Sequence, residues 1–123
     1  MSGLNEALQI HGKLTIVKTD ANGNTTTTEV PNLVVTAGKN HIAAKIAATT
    51  NIPVSMTHMA IGTGTTSAAA GDTTLGTEGG RVALSGSVVS TNTITYTATF
   101  PAGTGTSTSP GVQEAGIFNA SSG

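Results

Sequence analysis

The sequence predicts a mainly β fold, an antiparallel β-sandwich with one α-helix over about residues 37–48. Three observations predict it. Several stretches alternate apolar and polar residues with a period of two. The clearest is Thr93–Phe100, where Ile94, Tyr96, Ala98 and Phe100 alternate with four threonines. Threonine makes up 24 of the 123 residues, and its β-branched side chain favours strands. The stretch after Thr36 instead pairs Ile42 with Ile46 and Ala43 with Ala47, the four-residue spacing of a helix stripe.

Composition narrows the function classes. Only 9% of residues are charged, where ordinary domains carry about a quarter, so the polar surface is hydroxyl in character. The core is thin: no Trp, one Tyr and two Phe. A small domain buries a low fraction of its surface, so this one is expected to draw stability from partner subunits as a homo-oligomer. With a net charge of −1 and no basic stripe, nucleic acid is not an expected partner. Cysteine is absent, which removes disulfides and thiolate chemistry from consideration. No apolar run reaches membrane-spanning length, and the first residues lack the order of a signal peptide.

The length fits a single domain spanning residues 1–123. A strand is expected from Ala7 to Lys18, a turn at Asp20–Asn24 around Asn22-Gly23, and a return strand over Thr25–Val30 interrupted by Pro31. Thr36 is placed as the helix cap, with the helix ending before Pro53. Met56–Gly62 reads as a half-buried strand that opens into the loop Gly62-Thr63-Gly64-Thr65-Thr66. Residues 65–76 form a long loop of small residues with Leu75 as its anchor. Arg81–Ser90 is read as one strand, Thr91-Asn92 as a turn, Thr93–Phe100 as the next strand, and Val112–Phe118 as the last. The chain then stops in turn residues. Either the sequence is a fragment, or another molecule completes this edge.

No enzyme site is expected. His11, His41 and His58 lie on three different elements without short ligand spacing, so no metal or other cofactor is predicted. The Gly62–Thr66 loop lacks the Lys-Ser/Thr pair of a Walker loop, and Asp20–Asn24 lacks the glycine and distal glutamate of a calcium loop. The threonine-rich segments are the expected interface: Thr25, Thr26, Thr27 and Thr28; Thr63, Gly64, Thr65 and Thr66; Thr104 and Thr106. Arg81, the single arginine, is either an interface anchor or half of an intrachain pair with Glu78 or Glu114. Arg81–Glu114 is the pair expected, on their scarcity in a charge-poor chain.

Three pieces together resemble a recurring bacteriophage structural domain. They are Asn32-Leu33-Val34-Val35-Thr36-Ala37-Gly38-Lys39, Thr57-His58-Met59-Ala60-Ile61-Gly62-Thr63-Gly64, and Val112-Gln113-Glu114-Ala115-Gly116-Ile117-Phe118-Asn119. Their order is similar to that in the N-terminal attachment domains of phage tail fibres and in related tail and baseplate proteins. Gly64 departs from the tail-fibre subgroup, which often has an acidic residue there followed by glycine. The resemblance implies a non-catalytic virion part that docks with other phage structural proteins. A tail-fibre or baseplate attachment domain is the leading expectation, and a capsid decoration protein the alternative. A carbohydrate-binding module ranks below both, because three aromatics assigned mostly to the core leave few to stack on sugars.

Overall fold

The computed structural model describes residues 9–104 and 111–123. The fold is mainly β, antiparallel throughout, with one helix. In chain order the elements are β1 (Gly12–Thr19), β2 (Thr25–Asn32), α1 (Thr36–Ala47), β3 (His58–Gly62), β4 (Glu78–Ala83), β5 (Gly86–Ser90), β6 (Thr93–Thr97) and β7 (Glu114–Phe118). They are distributed over three sheets: the hairpin β1-β2, the three-stranded sheet β4-β3-β7, and the hairpin β5-β6.

The first hairpin forms where the Asn-Gly signal places it. Asp20 Oδ1 accepts the backbone N–H groups of Asn22 and Asn24, both at 2.9 Å, and Gly23 takes the left-handed φ of 83°. The two amides, that of Asn24 foremost, hold the Asp20 carboxyl below its ordinary value. The return strand runs two residues further than expected. Pro31 pairs opposite Lys13 on a strand with a free edge, where a missing N–H is tolerated.

Four other expectations about the hairpins and helix are corrected. Residues 81–90 are not one strand. The run leaves the three-stranded sheet at Leu84-Ser85, where Leu84 N–H donates to Thr57 O and Ser85 N–H to Thr97 O, so β4 and β5 belong to different sheets. The strand begun at Thr93 is paired only as far as Thr97. Thr36 is the first residue of the helix and makes no side-chain cap; the capping position is Val35. Ile46, expected in the apolar stripe, is 77% exposed, while Ile42 is half-buried. No Cα of the helix comes within 8 Å of a strand's.

The pairing of β3 decides which residues share a face. Met59 lies between Val82 and Ile117, and Ile61 between Gly80 and Ala115, so these line one face. The β1-β2 hairpin approaches that side. Leu14 and Asn32 meet Met59, Ala115, Gly116 and Ile117 around a cavity of about 20 Å³. The opposite face carries Phe118 beside His58, Arg81 and Gly116 beside Ala60, and Glu114 beside Gly62. Among the described residues, the buried apolar side chains are Ala60 and Ile61 alone.

Gly116 sits under the Phe118 ring. A Cβ there would stand 3.0 Å from Phe118 Cε2 and 3.3 Å from Leu75 Cδ2. At Gly86, by contrast, an added Cβ would meet Thr97 at an ordinary 3.7 Å. Gly116→Ala is therefore expected to lower unfolding stability by about 1–3 kcal/mol, and Gly86→Ala to leave it unchanged or slightly raised. Chemical denaturation of the two variants beside the parent checks this.

Candidate functional site: a carboxylate cradle and an arginine clasp

The end of β3 and the beginning of β4 are forced together by backbone. The register of β3 against β4 shifts between Ile61 and Gly62, and Thr63 N–H donates to Thr77 O at 3.0 Å. A Cβ on Gly62 would stand 2.1 Å from Thr77 O, so no other residue fits. The shift turns several amides inward. Into their midst β7 projects Glu114, whose Oε1 accepts N–H from Gly64 (3.0 Å) and Thr77 (2.6 Å), and whose Oε2 accepts N–H from Gly76 (2.7 Å). Gly64 must also lack a side chain, since its Cβ would lie 2.6 Å from Oε1.

The electrostatics follow from this geometry. Burial, the largest influence, and the negative charge of Asp72 push the Glu114 carboxyl up. The three amides from Thr77, Gly76 and Gly64 outweigh both, and the net pKa lies below the ordinary 4.5. Successive N–H groups aimed at one anion form a nest. The Gly62–Thr66 loop supplies one of these donors, Gly64 N–H, and Gly76 and Thr77 supply the other two.

Arg81 is the second fixed point of this face, and its expected partner is corrected. It pairs with Glu78, not Glu114, with Nη2–Oε1 at 2.6 Å and Nε–Oε2 at 3.1 Å. Glu114 is taken up by backbone amides, and no ion pair joins it to Arg81. The remaining guanidinium donors go to Ala120 O (3.0 Å) and Gly123 O (3.2 Å). The guanidinium lies 3.9 Å from the centre of the Phe118 ring. With its side chain 5% exposed, Arg81 is occupied within its own chain and is not a free interface anchor.

The other expected site residues fall in different places. Thr25, Thr26, Thr27 and Thr28 are exposed on β2, as are Thr65 and Thr66 in the loop. Thr63 and Gly64 are half-buried, and their backbones serve the cradle. Thr104 is half-buried; Thr106 lies outside the described residues. Among the described residues no group of three or more His, Asp and Glu gathers as a metal site, and no helix is long and apolar enough to cross a membrane. An open depression of about 400 Å³ is lined by Gln9, Ile10, His11 and Lys39 and has no nucleophile–base pair.

Sequence reading missed Gly76 and Thr77 as amide donors and Gly62 as a steric requirement. One signal pointed to them: Glu114 is the only charged residue after Arg81, and a lone carboxylate on a strand needs donors. Comparison with protein-family models, with curated proteins and with solved structures yields no match for this chain.

Arg81→Lys keeps the charge but loses the planar fork to Glu78 and the stacking on Phe118. It is expected to cost about 1–3 kcal/mol of unfolding stability. Denaturant titration followed by near-ultraviolet signals from the aromatic residues measures the loss.

Proposed function

We propose that this chain is a non-enzymatic structural component of a bacteriophage virion, a tail-fibre or baseplate attachment domain that completes its packing against neighbouring subunits. One observation carries the reading: among the described residues ten large apolar side chains are left open to water, three of them on one hairpin. Val88 is 62% exposed, Val89 70% and Ile94 53%, and Ile46, Ile52 and Val54 are also open. A two-stranded hairpin is marginal by itself, yet no Cα of β5-β6 lies within 8 Å of another element's. Its pairing puts Val89 beside Ile94, on the same face as Tyr96. Residues 82–113 contain no charged side chain, so the surface that covers this hairpin must itself be uncharged.

The resemblance gains weight from where its motif residues meet. The strand pieces that carry it are β3 and β7, which pair with each other. Gly62, Gly64, Glu114, Gly116 and Phe118 build the cradle and the clasp. Thr36 of the remaining piece bonds through its N–H to Ala70 O in the loop between them. A motif set that assembles into one structural unit is what a recurring building block requires, and among the described residues it brings no nucleophile–base pair together.

Localisation of the chain in images of whole particles tests the proposal. Density at the tail or baseplate, in a small symmetric number of copies, is the expected result. Copies spread over the shell would favour decoration instead, and absence from the particle would overturn the reading. At the level of the domain, Val89→Thr with Ile94→Thr is expected to weaken self- or partner association by tenfold or more, about 1.4 kcal/mol. The secondary structure of the monomer should stay intact. Sedimentation velocity and circular dichroism on the same samples read the two quantities separately.

A further inference from the structure

We propose that Glu114 is a latch: its carboxylate fastens the 65–76 loop, and through that loop the start of helix α1, to the three-stranded sheet, and neutralising it releases loop and helix together while the sheet stays paired. This goes beyond the assembly role and rests first on geometry. Residues 65–74 are all exposed, and Leu75 is the half-buried residue of the loop. The turn between Ala69 and Asp72 is local, made by Asp72 N–H to Ala69 O and by Ala69 N–H to Asp72 Oδ2. It ties the loop to nothing else.

The tethers to the sheet are few: Thr63 N–H donates to Thr77 O across the mouth of the loop, Leu75 lies against Gly116, and the remaining bonds go to Glu114. Gly64 enters the loop and Gly76-Thr77 leave it, and all three amides end on the two oxygens of Glu114. At its midpoint the loop holds the helix, where Thr36 N–H donates to Ala70 O at 2.8 Å. The helix approaches no strand, so this bond and its flanking chain fix where it begins. The β3-β4 and β3-β7 ladders are separate from these bonds. A segment with exposed backbone and one apolar anchor opens at lower cost than a paired sheet.

The groups around Glu114 set the direction of the pH response. Asp72 of the loop repels it, and on β4 the charge of Glu78 is paired with Arg81. Because the folded pKa is depressed, the stabilisation is present above the unfolded value of 4.5 and is lost as pH falls through the folded value. The latch opens in acid.

Amide hydrogen exchange tests this on the intact chain, with rates corrected for intrinsic pH dependence. Glu114→Gln keeps the shape but turns an NH2 group toward the donors. In it the amides of Gly64, Gly76, Thr77 and Thr36 should exchange about 10- to 100-fold faster, with Met59, Ala60 and Ile61 unchanged. Acidifying the parent should accelerate the same four amides, and that acid effect should be absent from Glu114→Gln. An unaltered Thr36 amide overturns the coupling to the helix. Equal loss of protection across β3, in the variant or in the acidified parent, overturns the latch, because Glu114 would then support the fold as a whole.

Discussion

Three backbone amides converging on the Glu114 carboxylate are the constraint that binds the long loop to the three-stranded sheet. A half-buried carboxylate needs donors for the water it loses, and charge-assisted bonds from N–H groups are among the stronger ones available. Here they also solve a geometric problem. The long loop leaves the sheet at Gly64 and returns at Gly76-Thr77, and one side chain from the third strand binds both ends beside the Thr63–Thr77 backbone bond. The glycines at 62 and 64 follow from this, since a Cβ at either would collide with Thr77 O or with the carboxylate itself. On the same face the Arg81 clasp gathers Glu78, Phe118 and the carbonyls of Ala120 and Gly123. A chain with few charges thus places two of its carboxylates and its single arginine inside one small sheet.

Much of the fold was legible because its signals are local. The Asn22-Gly23 turn, the alternation in β1, β3 and β6, and the breaking effect of Pro53 each act within a few residues. Boundaries that depend on distant partners were not legible. Nothing near Leu84 announces that its amide will turn to Thr57 O and divide one apparent strand between two sheets. Thr36 has the chemistry of a cap, yet the helix already includes it and Val35 takes the capping position, while Thr36 N–H bonds Ala70 O, more than thirty residues later. The Ile42–Ile46 spacing matches a buried stripe, but burial needs a second surface, and no strand lies close enough to cover Ile46.

The candidate site shows the same division. Scarcity correctly marked Arg81 and Glu114 as residues needing partners. It then paired them with each other, because opposite charges are the partners a sequence displays. Backbone amides are chemically identical at every position, so a sequence does not show which of them will converge. The two close glycines and the loop of small residues were the visible trace of that convergence.

The molecule divides into a clasped sheet and elements that lack cover. The clasped sheet holds what little is buried, and among the described residues β5-β6 and α1 present apolar side chains that no other element covers. Such a division suits a part whose packing is finished by its neighbours, since binding to the folded state is then a source of stability. The direct test is the melting temperature of the purified chain across a thousandfold range of concentration. The account predicts a midpoint that climbs as concentration rises. A single cooperative transition of the monomer, at one temperature over the whole range, would contradict it.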